Sequence, residues 1–406
     1  MKFPQIGPAF LVTAAFIGPG TVITASLAGA NYGFALVWAL LFSVVATIIL
    51  QEMTARLGIV TQQGLGENIR NACKHPLLRA LAIFLVVSAI VIGNGAYQSG
   101  NIAGASLGLI GIVDQLDWKI ASANIIFPLL IGVVAFLLLI TGSYKVIEKA
   151  LIMLVGVMSI SFILTFVLTN PDLSALFSGL LIPHIPTGAT LTVIALIGTT
   201  VVPYNLFLHA ASASKKWNSA NDLPKARKDL YISIPLGGLI SIAILSTAAT
   251  AFFGHQLSIK SAADLAPTLQ PLFGDMASVL VGIGLFASGI SSAVTAPLAA
   301  AFALSGILNL NNELHSKSFK SIWIVILVIG VLGASLGYKP MAIIWFAQVA
   351  NGILLPIVTI FLLWIMNTAV LGQYRNTLRQ NIMAGLVILV TLLLSGRSLF
   401  SAFGLL

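Results

Sequence analysis

Apolar residues run along this chain in stretches that are long enough to cross a lipid bilayer, and short polar connections separate them. About 20 consecutive apolar residues span a hydrocarbon core. The pattern predicts eleven membrane-spanning helices, at about 8–31, 35–55, 79–109, 122–142, 147–169, 188–211, 230–253, 276–308, 321–338, 341–366 and 381–402. The connections between them are too short for a soluble domain. We therefore expect one transmembrane domain over residues 1–406.

Two of these apolar helices carry an interruption in their middle. Gly18-Pro19-Gly20-Thr21 interrupts the first, and Thr199-Thr200-Val201-Val202-Pro203 interrupts the sixth. Inside a helix, Gly costs about 1 kcal/mol relative to Ala, and Pro costs about 3 kcal/mol. Breaks at matching positions of two five-helix halves are typical of secondary transporters built from inverted repeats. We expect repeats at about 7–170 and 187–367, with an extra helix at about 381–402. A simple proline kink in each helix is the alternative.

The distribution of charge fixes the predicted orientation. Charged residues make up 8% of the chain, hydrophobic residues make up 58%, and the net charge is +9. With the N-terminus in the cytoplasm, most Lys and Arg residues fall in cytoplasmic connections, as the positive-inside rule requires. The four exceptions on the outside are Lys119, Lys260, Lys339 and Arg397. We therefore expect a multi-pass protein of the cell membrane with its C-terminus outside, whose basic excess orients it in the lipid bilayer and does not bind nucleic acid.

Several motifs resemble one family of transporters. They are QEMTARLGIVTQQGLGENIR (51–70), VVPYNLFLHAAS (201–212), GLFASGISSAVTAPLAA (284–300) and FAQVANGILLPI (346–357). The chain is identified by them as a member of the natural resistance-associated macrophage protein (Nramp) family of divalent-metal transporters. The resemblance covers nearly all of the first ten spans. It implies an all-α bundle of the LeuT type that works by alternating access.

The chain departs from the family where the family binds metal. Gly18 and Thr21 stand where the family has Asp and Asn in the first helix. In the sixth helix, Val202 stands in place of the family's Met, Tyr204 in place of its His, and Thr199 in place of a small residue. The resemblance implies that a metal site of the family's kind is lost.

The third and tenth spans add to this comparison. Gln98 and Asn101 stand where family members carry two acids on a proposed proton path. His209 retains the sixth-helix histidine, and Gln348 matches a glutamine of the tenth helix. The resemblance thus implies a changed proton path as well as a changed substrate site.

The residue types at the breaks favour a different substrate. None of the eleven acidic residues lies in the middle of a predicted span. Hard cations prefer oxygen ligands that include carboxylates, and a bare dication at the bilayer midplane needs a counter-charge. The N-terminus of a half-helix instead carries free N–H groups and partial positive charge, which suit a carboxylate. We therefore expect a small carboxylate or amino-acid-like solute, with 5-oxoproline as an example. A divalent cation carrier with an altered site, such as one for hydrated magnesium, is the alternative.

The candidate residues form two groups. The substrate-binding candidates are Gly18, Gly20, Thr21, Thr24, Thr199, Thr200, Val202, Tyr204, Asn205 and Gln348. The candidates for ion coupling or a polar network are Gln98, Asn101, His209 and Asn351. Helix–helix hydrogen bonding is the alternative role of the amides, and the coupling ion is a proton or sodium. We expect no resident cofactor, no metal ligands and no enzymatic activity, because no nucleophile–base set or phosphate loop is visible.

Overall fold

The computed structural model describes residues 7–115, 120, 122–141, 145–255 and 259–402, and every regular element within these ranges is a helix. Lys119 lies outside the described residues, as do residues 1–6. The α-helices of the described residues are α1 (Pro8–Phe16), α2 (Pro19–Tyr32), α3 (Val37–Thr61), α4 (Leu65–Ala72), α5 (Pro76–Gln115), α6 (Ala123–Thr141), α7 (Lys145–Leu168), α8 (Leu173–Leu181), α9 (Thr190–Thr200), α10 (Pro203–Lys216), α11 (Leu223–Phe252), α12 (Gln270–Phe273), α13 (Ala277–Leu308), α14 (Lys317–Ala334), α15 (Pro340–Ile365) and α16 (Leu378–Ala402).

The eleven predicted spans agree with the helices observed. Nine helical segments of the described residues are long and apolar enough to cross a membrane, and two bent pairs bring the number to eleven. One bent pair is α1 with α2, which meet at 53°, and the other joins α7 to α8 at 118°. The sixth span is interrupted without a sharp bend, because α9 ends at Thr200 and α10 begins at Pro203. The all-α architecture and the broken first and sixth helices are confirmed.

Several helices run past the ends that the sequence pattern predicts. α3 continues to Thr61, and α11 begins at Leu223 instead of near residue 230. The connection predicted at 212–229 is therefore reduced to Trp217–Asp222, which includes a short 3-10 turn. Charged residues end an apolar stretch, but they do not end a helix, whose backbone remains hydrogen-bonded outside the bilayer. Another helix, α8, lies in the connection between the fifth and sixth spans, where none was expected.

Proline sets both breaks. Pro19 and Pro203 each occupy the first turn of a new helix, where the missing N–H costs nothing. A residue before proline is driven towards extended backbone, and Gly18 (φ −108°, ψ −173°) and Val202 (φ −79°, ψ 122°) are both extended. The breaks are therefore narrower than predicted: Gly20 already belongs to α2, and Thr199 and Thr200 belong to α9.

Helices α5, α13 and α15 surround the two breaks. α15 packs against both α2 and α9, and α5 packs against α13 and α15. The approach of α15 to α9 depends on Gly198, because a β-carbon there would collide with the Gln348 carbonyl oxygen. Through this packing, α5, α13 and α15 bring their polar side chains close to the breaks between α1 and α2 and between α9 and α10.

Candidate functional site

A pair of threonine hydroxyls joins the two breaks. Thr21 Oγ1 lies 2.8 Å from Thr199 Oγ1, and it also donates a hydrogen bond to the carbonyl oxygen of Phe16, at the end of α1. A hydroxyl has one proton to donate. The Thr199 hydroxyl must therefore donate to Thr21. Both side chains are fully buried, so the two broken helices are in direct contact in this structure.

Two tyrosines pack against each other next to the first break. The ring of Tyr204, in the first turn of α10, lies 5.2 Å from the ring of Tyr97 on α5, at an interplanar angle of 59°. The Tyr97 hydroxyl donates to the carbonyl oxygen of Ala15 at 3.2 Å. The Tyr204 hydroxyl is buried without a hydrogen-bond partner among the described residues. Tyr97 was missed by the sequence analysis, although it stands next to Gln98, which was singled out.

Gly18 lies at the end of α1, in a narrow space that admits a β-carbon only if the Ser292 hydroxyl moves by a few tenths of an ångström. A β-carbon built on Gly18 would lie 3.1 Å from Ser292 Oγ and 3.7 Å from the Tyr97 hydroxyl. Ser292 belongs to α13 and is buried. The position that is acidic in the family thus faces two hydroxyl groups in this chain.

Gln348 covers the start of α2. Its side-chain amide occupies the space where a β-carbon of Gly20 would lie. Its Nε2 makes a long contact of 3.4 Å to the carbonyl oxygen of Ile344, and its Oε1 is buried with no partner in the described part of the chain. Glycine at position 20 is therefore needed for α15 to bring this amide against the first break.

The remaining substrate candidates behave differently from one another. Thr24 and Asn205 are fully buried, and neither the Thr24 hydroxyl nor the Asn205 carboxamide has a hydrogen-bond partner within the described ranges. Thr200 instead donates to the carbonyl oxygen of Leu196 in its own helix, at 3.3 Å. Val202 is buried, and because its side chain is apolar, only its backbone could contact a polar ligand. Thr24 and Asn205 therefore have donor and acceptor atoms to offer a ligand, whereas the Thr200 hydroxyl has its proton engaged and keeps only its oxygen as an acceptor.

The four candidates for ion coupling or a polar network do not contact one common partner. Gln98 donates to the carbonyl oxygen of Ala293 at 2.9 Å and so ties α5 to α13. His209, on α10, has its Nδ1 2.6 Å from Oε1 of Gln51 on α3, so its ring lies against α3 and not at the breaks. Asn101 and Asn351 are buried, and their side-chain nitrogens have no partner in the described structure. Gln98 thus makes a helix-packing hydrogen bond through Nε2, while its Oε1 is buried without a partner in the described structure, and its role in coupling stays a prediction.

The chemistry of the site is neutral and polar. In the described part of the chain, no three His, Cys, Asp or Glu side chains come close enough to hold a metal ion. The breaks instead offer hydroxyls, carboxamides and backbone groups. A buried polar atom that lacks a partner costs about 1–3 kcal/mol. Such atoms occur on α2, α10 and α15, the helices that begin at or pack against the breaks, and a polar ligand or water would supply their missing partners.

Comparisons with known proteins agree with this architecture. The family model described as "Natural resistance-associated macrophage protein-like" matches residues 9–401. The divalent metal cation transporter MntH of Yersinia pestis (strain Pestoides F) is 28% identical over 416 residues, which cover 99% of this chain and 96% of that protein. The MntH of Verminephrobacter eiseniae is 26% identical over 412 residues, which cover 100% and 90%.

Solved structures share the fold. A manganese transporter of Eremococcus coleocola, in complex with an aromatic bis-isothiourea compound, superposes with a TM-score of 0.76 at 22% identity, over 97% of this chain and 86% of that one. MhsT in complex with L-phenylalanine superposes with a TM-score of 0.64 at 16% identity, over 97% and 98%. This chain belongs to the Nramp family, and it is a multi-pass membrane protein of the transporter class.

Proposed function

We propose that this chain is an alternating-access transporter that binds its substrate between the breaks of α1–α2 and α9–α10. The bond between Thr21 and Thr199 is the observation that supports this most directly, because it brings the two broken helices into direct contact through buried hydroxyl groups. Unwound backbone at membrane depth is tolerated where it is buried or lines a cavity. A substrate that replaces this hydroxyl bond would separate the two broken helices.

The proposed substrate is a divalent cation that keeps part of its hydration shell, with magnesium as the first candidate. Full-length similarity to proteins named divalent metal cation transporters supports a cation. The neutral oxygens of Thr21, Thr199 and Tyr204 support one that retains water, since Mg²⁺ dehydrates reluctantly and is often held through its waters. In the described part of the chain, no three His, Cys, Asp or Glu side chains come together, and this lack of imidazole, thiolate and carboxylate ligands argues against a fully dehydrated manganese or iron ion.

A small carboxylate is the second candidate substrate. The specific observation in its favour is the start of α2, where the N–H groups of the first turn meet the Gln348 amide. Such a helix terminus suits an anion. The relatives' names do not support this substrate, which was the main expectation from sequence.

A transport assay in proteoliposomes separates the candidates. The purified protein would be tested for uptake of Mg²⁺, of Mn²⁺ and of a radiolabelled small carboxylate such as 5-oxoproline, with protein-free vesicles as the control. We expect saturable Mg²⁺ uptake that excess Mn²⁺ inhibits weakly. Uptake of the carboxylate without Mg²⁺ uptake would replace the first candidate by the second. Strong saturable Mn²⁺ uptake would contradict both the argument for hydrated magnesium and the argument for a small carboxylate.

For coupling we propose a proton at His209. An amide oxygen only accepts, so His209 Nδ1 donates to Gln51 Oε1, and Nε2 is the atom that can take up a proton. Nε2 is buried, with no hydrogen-bond partner in the described part of the chain. Sodium is the alternative coupling ion. Uptake that follows an imposed pH gradient and is unaffected by a sodium gradient would support the proton, and the reverse result would support sodium.

We also propose a cell-membrane location with the N-terminus in the cytoplasm and the C-terminus outside. The support is the excess of Lys and Arg in the connections on one side. Reporters fused to the C-terminus would test the orientation: alkaline phosphatase, which is active outside the cytoplasm, should be active there. A green fluorescent protein fusion that fluoresces at the same position would contradict it.

A further inference from the structure

A cavity of about 480 Å³ opens between α3, α11 and α16, away from the two breaks. Its apolar wall includes Ile48, Ile49 and Met383, and its polar edge includes Arg227, Tyr231 and Gln380. Met383 and Tyr231 are about half exposed. In a membrane-spanning bundle, exposed apolar side chains of this kind face acyl chains. We call this space the α3–α16 cavity.

The charges at the bottom of the cavity are not balanced. Glu52 accepts from Arg56 Nη2 at 2.9 Å and from Arg227 Nη2 at 2.8 Å, so two guanidinium groups share one carboxylate. Arg56 is 3% exposed and is also held by the Tyr374 carbonyl oxygen and by Asn376. One positive charge is therefore left over at this group, and Arg227 is the member that reaches the cavity.

Arg227 keeps donors for another partner. Its Nε and Nη2 both point to Glu52 Oε1, and its side chain is 42% exposed. A guanidinium carries five N–H donors in a planar fork. Among the described residues, no hydrogen bond engages Nη1, so its donors are available at the edge of the cavity that Tyr231 and Gln380 also line.

The height of the cavity in the membrane matches a lipid headgroup. Arg227 lies in the first turns of α11, and Gln380 and Met383 lie in the first turns of α16. Both helices start on the side that the charge distribution predicts to be cytoplasmic, where Lys228 and Arg379 are exposed. Polar groups therefore sit at the interface, and the apolar wall continues towards the bilayer centre.

We propose that the α3–α16 cavity binds an anionic phospholipid. The phosphate lies against Arg227, Tyr231 and Gln380, and one acyl chain follows Ile48, Ile49 and Met383. Basic pockets between membrane helices on the cytoplasmic side recognise anionic headgroups, and arginine suits a phosphate because it offers two parallel donors. Charge complementarity selects this occupant over a zwitterionic lipid. The site is separate from the proposed transport pathway.

Native mass spectrometry of the full-length protein in detergent tests the proposal. Phosphatidylglycerol and phosphatidylcholine with the same acyl chains would be added in equal amounts. We expect at least fivefold more bound phosphatidylglycerol, and less than twofold for Arg227→Gln. Lys225→Gln is the matched control, because it removes the same charge from the same helix, but Lys225 is 75% exposed and pairs with Asp222. It should retain the fivefold preference.

A second variant covers the case in which Arg227→Gln does not fold. Met383→Trp narrows the apolar wall and leaves all charges in place, and it should also reduce the bound phosphatidylglycerol to below one half of the wild-type amount. Millimolar glycerol phosphate should not displace the lipid. The proposal is overturned if wild type shows no preference, if Lys225→Gln loses as much as Arg227→Gln, if Met383→Trp binds normally, or if glycerol phosphate competes.

Discussion

At the scale of the residue, Gly18 stands where the resemblance to the family implies an acidic side chain. Its backbone is extended, with a negative φ that any residue adopts. A side chain there would point towards Ser292 and Tyr97, whose hydroxyls lie 3.1 and 3.7 Å from the β-carbon position. Glycine is therefore not required by the backbone, and an acid at this position fits if the Ser292 hydroxyl moves by a few tenths of an ångström.

Gly18→Asp should raise the affinity for Mn²⁺ and abolish any carboxylate binding. The new carboxylate supplies the missing counter-charge for a cation. It would repel a carboxylate about 4 Å away by about 4 kcal/mol at an effective dielectric of 20, which is roughly a thousandfold in Kd. Isothermal titration of wild type and variant with both ligands measures this. Gly18→Asn is the neutral control of the same size, and equal Mn²⁺ binding by the two variants would contradict the prediction.

Thr199→Val should weaken the closed state, whereas Thr200→Val should not. The first change removes the hydroxyl that bonds to Thr21, and the second removes one that bonds only within its own helix. A typical intramolecular hydrogen bond contributes about 1 kcal/mol. We expect a lower Tm and a changed substrate affinity for Thr199→Val, measured by thermal unfolding with and without substrate. If both variants behave alike, the contact between the breaks does not hold the closed state.

At the scale of the element, α1 is held at its start by another helix. The Ala9 N–H donates to Asp229 Oδ2 at 2.9 Å, so a carboxylate of α11 caps the N-terminus of α1. α1 has nine residues and no side-chain cap of its own. An isolated helix of that length is marginal, so its position depends on this contact and on packing.

Asp229→Asn should loosen the beginning of α1. The variant keeps an acceptor but loses the negative charge that interacts with the helix N-terminus, an effect of about 0.3–2 kcal/mol. Hydrogen–deuterium exchange of α1 should become several-fold faster, while α2 is unchanged. Asp222→Asn is the control, because Asp222 pairs with the exposed Lys225. Equal exchange rates in wild type and Asp229→Asn would show that packing alone holds α1.

At the scale of the whole molecule, one buried carboxylate connects three parts of the chain. Glu52 of α3 binds Arg56 and Arg227, and Arg56 reaches the turn before α16 through the carbonyl oxygen of Tyr374. Removing one partner of a buried pair costs about 3–5 kcal/mol, because it leaves a charge uncompensated. This network lies where α3, α11 and the last connection meet.

Glu52→Gln should therefore destabilise the protein strongly. The guanidinium of Arg56, which is almost fully buried, would lose its counter-charge. We expect a clear fall in Tm, measured in detergent, together with reduced yield of monodisperse protein. Asp222→Asn provides the comparison for an exposed ion pair, which is worth about 0–1 kcal/mol. A Tm for Glu52→Gln as high as that of Asp222→Asn would contradict the role of the network.

Sequence alone determined the number of spans, the positions of the two breaks and the membership of the family. The length of an apolar stretch and the prolines at positions 19 and 203 act locally: each influences the backbone of its own segment, whatever the rest of the chain does. The predicted helix ends were less accurate: the seventh span was expected to begin near residue 230, whereas α11 begins at Leu223. Charged residues can continue a helix beyond the bilayer. The sequence also showed that glycine stands at position 18, where the resemblance to the family implies an acid, because the residue type at one position can be read directly from the sequence.

Tertiary structure decided which of the polar residues meet. Thr21 and Thr199 are 178 positions apart and share a hydrogen bond, whereas the neighbouring Thr200 turns back to its own helix. Tyr97 and Ser292 come to Gly18 from two other helices, and His209 lies against Gln51, away from the breaks. Such contacts depend on how helices rotate and pack against each other, and no period or spacing along a single apolar helix specifies that rotation.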